Sequence, residues 1–205
     1  MLTQQGFDLW ADDYDRSVGL SDEDGSYPFA GYRQVLNRIY NRVLTREAPR
    51  VLDLGFGTGV LTARLYARGC EIWGQDFSAR MIERAQPKMP KAHLFQGDFA
   101  KDLAAPVLAQ AFDFVVATYS LHHLDLEGKL RLLRRLRELL TDNGEILIGD
   151  VAFADADALE RCREAAGDEW DDEESYFVLD EMRRAFPDIA FEPVSHCAGV
   201  LTLSK

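Results

Sequence analysis

Val51-Leu52-Asp53-Leu54-Gly55-Phe56-Gly57-Thr58-Gly59 is the stretch that decides the reading of this chain. Its first four residues predict a short buried strand, glycines follow at once, and residues 60–68 predict a helix that Gly69 stops. Three glycines allow a tight turn and let a ligand approach the main chain where a Cβ would clash. The amides and dipole of the helix start favour a negative group. Asp76 follows Gly55 by 21 residues, at the tip of a second expected strand over 71–75. A carboxylate placed there can accept hydrogen bonds from both hydroxyls of a ribose. Gly55, Gly57, Gly59 and Asp76 are therefore candidate cofactor-binding residues.

Working outward, Ser78 is a suitable N-cap for a helix over 79–86, which Pro87 and Pro90 end. Strands are expected at 93–96 and 112–118, the latter apolar on both faces as a central parallel strand should be. Leucines at 126, 130, 133, 136 and 140 predict an amphipathic helix. Asn143-Gly144 reads as a turn before a strand over 145–149. Helices are expected at 155–166 and 176–186, flanking an acidic segment at 168–174. Residues 190–195 and 199–204 are too close for a crossover and predict an antiparallel hairpin. Upstream, Phe7, Trp10 and Tyr14 have helical spacing, and Pro28 opens a helix running to Leu44. The rhythm implies a doubly wound, mostly parallel α/β sheet with a C-terminal antiparallel hairpin. We expect a single domain over 1–205. Its parts are an N-terminal helical cap (1–48), a cofactor-binding half (49–150), and substrate-side helices with the terminal hairpin (151–205).

Composition removes other classes. The 205 residues carry 23 basic and 35 acidic side chains, a net charge of −12, opposite to that of a non-specific nucleic-acid binder. Lys129, Arg131, Arg134, Arg135 and Arg137 alternate with leucines and read as a solvated helix face. Apolar runs such as 114–117 are far too short to cross a membrane, and the acidic N-terminus does not read as a signal peptide. Cys70, Cys162 and Cys197 are scattered, with no CxxC, which signals neither a disulfide framework nor zinc. A cytoplasmic protein is the expectation.

The loop departs from the dinucleotide fingerprint G-x-G-x-x-G, because Val60 stands where the third glycine belongs. Asp53 just before the loop would repel a pyrophosphate. A zwitterionic amino-acid ligand tolerates both signs of charge, and the methionine end of S-adenosylmethionine is such a ligand. Residues 51–59 resemble motif I of the class I S-adenosylmethionine-dependent methyltransferases, and Asp76 resembles their ribose-binding acid. Gln96-Gly97-Asp98-Phe99 resembles the motif whose Asp bonds the adenine amino group. Residues 112–124, ending Thr118-Tyr119-Ser120-Leu121-His122-His123-Leu124, resemble the fourth-strand motif facing the transferable methyl. The run Trp10-Ala11-Asp12-Asp13-Tyr14-Asp15-Arg16-Ser17 is similar to that of the narrower YrrT-like methyltransferases, over nearly the whole chain.

The resemblance implies the Rossmann-like class I methyltransferase fold, with seven strands of which the seventh is antiparallel. It implies S-adenosylmethionine as cofactor, with Thr118 beside it and Tyr14 covering its methionine end, although Tyr14 also reads as an ordinary helix aromatic. Phe77, Met81 and Phe99 are candidate adenine walls, Met81 equally a core residue. Asp53 reads equally as an orienter of the ammonium group or a brace for the loop. His122, His123 and Tyr119 are the catalytic candidates. Adjacent residues on a strand face opposite ways, so the two histidines are not expected to share a metal, and no metal is expected. One could serve as a base, or both could order the loop. The expected partner is a small-molecule methyl acceptor, with neither nucleic acid nor membrane, and a homodimer is compatible. No Asn/Asp-Pro-Pro-Tyr/Phe motif of base-modifying enzymes is present. The acidic segment 168–174, with Trp170, reads as a substrate lid or a solvated loop. A non-catalytic S-adenosylmethionine or S-adenosylhomocysteine binder, an NAD(P)-dependent oxidoreductase, and an RNA or protein methyltransferase are the alternatives.

Overall fold

The computed structural model describes residues 25–205. The N-terminal helix over Phe7, Trp10 and Tyr14, and with it the cofactor contact expected of Tyr14, lies outside the described residues.

A central sheet contains β1 (Arg50–Leu54), β2 (Glu71–Asp76), β3 (His93–Gln96), β4 (Phe112–Thr118), β5 (Leu140–Phe153), β7 (Ala190–Pro193) and β8 (Ala198–Ser204), in the order β3-β2-β1-β4-β5-β8-β7. The two-residue β6 (Phe177–Val178) pairs with the end of β5, off this path. β1 to β5 are parallel, and β8 runs antiparallel to both β5 and β7. The seven-stranded expectation therefore describes the main path, with β6 as an eighth, short addition.

Helices cover both faces: α1 (Tyr32–Val43), α2 (Thr62–Tyr66), α3 (Ala79–Ala85), α4 (Ala105–Leu108), α5 (Leu126–Glu138), α6 (Ala156–Ala166) and α7 (Leu179–Arg183). Alternation along the strands separates two cores. Val51, Phe114 and Val116 face one layer with Val35 and Ile39 of α1 and Leu65 of α2. Leu52, Val115 and Ala117 face the other, with Leu132, Leu133 and Leu136 of α5. A period of two sends successive side chains to opposite faces, so a strand buried on both sides reads as one apolar run. Among the described residues, no helix is long and apolar enough to cross a membrane.

Three boundaries differ from expectation. Pro28 does not open α1, because Gly31 at its N-terminus takes φ +80 and the residues before it form turns. Asn143-Gly144 is not a free turn. The pair lies within β5, where Phe112 pairs with Leu140 and Phe114 with Glu145, so a bulge absorbs the extra residues. The expected 176–186 helix is split into β6 and the five-residue α7, because the edge of β5 captures Phe177 and Val178.

Candidate functional site

The carboxyl ends of the parallel strands open on one cavity of about 440 Å3. This is where open α/β sheets bind ligands, and the volume suits a small molecule.

The glycine loop builds one wall. Gly55, Gly57 and Gly59 all take left-handed φ, at +71, +56 and +82, but their surroundings differ. A Cβ on Gly55 would stand 2.5 Å from the Ser120 Cβ, so this glycine lets the loop cross the end of β4. A Cβ on Gly57 would meet nothing within 4 Å, on a residue that lines the cavity. Gly59 does not line it; its missing Cβ makes room for Met89 and Ala85. Gly59 is thus a packing glycine rather than a ligand contact.

Asp76 binds the loop from the tip of β2. Its Oδ2 accepts the Gly57 amide at 2.8 Å and its Oδ1 accepts the Ser78 amide at 2.9 Å. Ser78 caps α3 as expected, accepting from the Met81 amide at 3.2 Å. Phe77, Met81, Asp98 and Phe99 line the same side. Met81 is both lining and core, being 5% exposed. Asp98 also orders its own turn, accepting from the Ala100 amide at 3.0 Å and pairing with Lys101 at 3.2 Å.

Asp53 lies beneath the loop rather than on the cavity. It is 1% exposed, and its Oδ2 accepts the Thr62 hydroxyl. Oδ1 meets no donor among the described residues. Its place favours the bracing reading over direct contact with an ammonium group. Burial, reinforced by the Asp76 charge, pushes its pKa up to about 7. The folded state thus holds this proton more tightly than the unfolded chain. The associated stability is full below about pH 4 and is lost as pH rises through 7. Asp53→Asn is expected to remove that slope, so its melting temperature should gain on the wild type between pH 4 and 7. A parallel pair of melting curves would refute this.

The far end of the cavity begins at Thr118 and Tyr119, both of which line it. Tyr119 takes φ +49 where β4 turns away. The next residues form a 3-10 turn, Leu121–His123, not a continued strand. This overturns the expectation that the histidines face apart: their ring centroids are 4.2 Å from each other and both line the cavity. Nδ1 of His122 lies 2.6 Å from Oδ1 of Asp150, a fully buried acid that also accepts the Leu121 and Val151 amides. Burial opposes charge on His122, but the Asp150 carboxylate outweighs it and raises the pKa. Burial and the neighbouring His122 push His123 down to about 4.

Two features here escaped the reading of the sequence, and for a third, the acidic segment, the sequence leaves both a lid and a solvated loop open. Tyr27, Phe29 and Tyr32 line the cavity, with Phe29 and Tyr32 packed on Tyr119 at centroid distances of 5.3 and 5.1 Å. The acidic segment closes over this end rather than lying wholly in solvent. Trp170 stacks on Tyr27 at 5.2 Å, and Glu169, Asp171 and Glu174 line the cavity. Tyr27 and Tyr176 join through their hydroxyls, and Tyr176 donates to Glu174 at 2.9 Å. Finally, Lys129 is not on the solvated face with its basic neighbours. It is 1% exposed, and its ammonium donates to the carbonyls of Leu124 and Ser175 while lying over the Phe177 ring. Burial brings its pKa down to about 8. Its place one helical turn from the apolar Leu132 and Leu133 was the available signal.

The sequence profile of a family described as a methyltransferase domain matches residues 51–144. An uncharacterised methyltransferase of Geobacillus kaustophilus (strain HTA426) is 37% identical over 161 residues, covering 78% of this chain and 72% of the relative. Another, from Geobacillus sp. (strain WCH70), is 34% identical over 193 residues, covering 90% and 87%. Among solved structures, the magnesium protoporphyrin IX methyltransferase of Synechocystis PCC 6803 with bound S-adenosylhomocysteine shares the fold. It has a TM-score of 0.67 at 17% identity, over 86% of this chain and 84% of that one.

Proposed function

The chain belongs to the class I S-adenosylmethionine-dependent methyltransferase family, and from that premise we propose that it methylates a small molecule held under the 27–32 and 169–174 segments. The observation that carries this reading is the single cavity. Its glycine-loop end has the groups a nucleoside amino acid needs, and its other end is lined by aromatic and acidic side chains and the histidine pair.

The cofactor half fits. The open position at Gly57 gives a ligand access to the loop backbone. The Gly55 amide is bonded to the Gln75 carbonyl and the Gly57 amide to Asp76, so the remaining loop backbone around Phe56 and Thr58 would meet the carboxylate of the methionine end, and Asp76 would receive the ribose hydroxyls. A carboxylate can accept several hydrogen bonds at once, and the Gly57 and Ser78 amides fix this one at the cavity wall. Phe77, Met81 and Phe99 enclose the adenine and Asp98 accepts its amino group. Thr118 stands where the two halves of the cavity meet.

S-adenosylmethionine supplies an electrophilic methyl on a sulfonium centre. Bound here, it would let an acceptor lone pair take the methyl while the carbon–sulfur electron pair returned to sulfur. This chain's residues orient the two reactants in line, a contribution of roughly 7–11 kcal/mol. The aromatic roof of Tyr27, Phe29, Tyr32 and Tyr119 excludes water. Glu169, Asp171 and Glu174 make that end negative, which disfavours polyanionic acceptors such as RNA. The test is calorimetric titration with S-adenosylmethionine and S-adenosylhomocysteine, followed by turnover with a fractionated metabolite extract. Micromolar binding of both and methyl transfer into a low-mass fraction are expected. Transfer only into RNA or protein would overturn the small-molecule reading.

A further inference from the structure

The two histidines and Glu174 meet in a way that methyl transfer alone does not require. Oε1 of Glu174 lies 3.5 Å from Nε2 of His122 and 3.8 Å from Nδ1 of His123. One ligand atom from each residue lies within 4.8 Å of the other two. Around a tetrahedral ion with bonds of about 2.0–2.1 Å, neighbouring ligand atoms stand roughly 3.3 Å apart. The Glu174 distances are within a few tenths of an ångström of that value.

The surroundings of these side chains also suit ligation. Nδ1 of His122 is held by Asp150, which turns Nε2 towards Glu174. Metal-bound histidines almost always give their other ring nitrogen to a carboxylate or carbonyl in this manner. Tyr176 occupies the second oxygen of Glu174 and leaves Oε1 to the histidines. Lys129 ties the two chain segments together, bonding the carbonyl after the histidine pair and the carbonyl after Glu174. All three side chains line the cavity, so a further coordination position would face the acceptor chamber. Catalytic metal sites keep such an open position, whereas structural ones are closed.

We propose that His122, His123 and Glu174 form a divalent-metal site at the acceptor end of the cavity. Two imidazole nitrogens and one carboxylate suit a first-row cation such as Zn2+, Fe2+ or Mn2+ better than Ca2+ or Mg2+. Only the role of the site rests on the methyl-transfer reading. In that role the cation holds an acceptor hydroxyl, thiol or carboxylate facing the cofactor half.

The test is titration of the chelator-stripped full chain with Zn2+ by calorimetry and with Co2+ by visible absorption. His123→Ala, Glu174→Gln and Cys162→Ser variants are treated alike. One equivalent should bind with a micromolar or tighter Kd, and the Co2+ spectrum should lack thiolate-to-cobalt charge-transfer bands. His123→Ala and Glu174→Gln should each weaken binding at least tenfold, and Cys162→Ser should not. Cys162, His196 and Cys197 form the other ligand cluster among the described residues. Thiolate bands lost in Cys162→Ser would place the ion there and overturn the proposal. Millimolar binding, or binding unchanged in His123→Ala and Glu174→Gln, would also overturn it. S-adenosylhomocysteine titration of the same proteins separates the two readings. Metal bound at the histidine pair without nucleoside binding sinks the methyl-transfer reading and leaves the site standing; the reverse sinks the site alone.

Discussion

Asp76→Ala is expected to weaken S-adenosylhomocysteine binding by about a hundredfold or more. A hydrogen bond to a charged acceptor contributes about 1.5–3 kcal/mol, and two ribose hydroxyls would lose theirs together. At 1.4 kcal/mol per factor of ten, that loss amounts to roughly 10² or above. The substitution also frees the Gly57 amide from its 2.8 Å bond, which loosens the glycine loop that we propose receives the methionine end. Both effects act on the same ligand. Calorimetry on wild type and variant measures the change, with circular dichroism to show that both are folded. An affinity within tenfold of wild type would mean that the carboxylate only braces the loop and that the ribose lies elsewhere. Gly59→Ala would be a poor substitute test, because its Cβ would press on Met89 and Ala85 rather than on a ligand.

Lys129→Met should cost stability on a comparable scale while acting on the other end of the molecule. The two side chains are similar in length, so the packing on Phe177 is largely kept. What is lost is the ammonium that joins the carbonyls of Leu124 and Ser175. A buried polar group left without its partner costs about 1–3 kcal/mol, so two such carbonyls give roughly 3 kcal/mol in all. For a domain of this size that corresponds to a fall in melting temperature of about 6–12 °C. Thermal and urea unfolding would measure it. The cofactor half is built from other residues, so S-adenosylhomocysteine affinity should change only a few-fold. A melting point unchanged within error would show that the clamp is dispensable. A cofactor affinity that collapsed with it would show that the two halves are not separable.

These two positions also mark what could and could not be read along the chain. The place of Asp76 at the cavity was legible because it follows from local geometry. A strand, a glycine turn and a helix occupy consecutive residues, and the next parallel strand ends beside the turn because β1 and β2 pair in register, Leu54 with Gln75. Gly57, Phe77, Asp98, Phe99 and Thr118 reach the cavity for the same reason. Asp53 and Gly59 belong to the same motif and miss the cavity, one buried under the loop and the other packed on α3. A motif specifies the backbone path but not which of its side chains faces the ligand. Lys129 was misread because its charge grouped it with Arg131, Arg134, Arg135 and Arg137, although it shares a helix face with the buried Leu132, Leu133 and Leu136; only the packed structure shows the Ser175 carbonyl that takes its ammonium.

The sequence by itself determined the sheet, its antiparallel finish and the glycine loop at the cavity, because each depends on periods and spacings within a few tens of residues. How the far end of the cavity is assembled was decided by tertiary structure. Tyr27 meets Tyr176 across 149 positions of chain, and Glu174 reaches a histidine pair that a 3-10 turn swings to one side. Such contacts carry no period. They arise where folding the sheet brings distant loops to the same strand ends, and burial and hydrogen bonding then select the side chains that remain there.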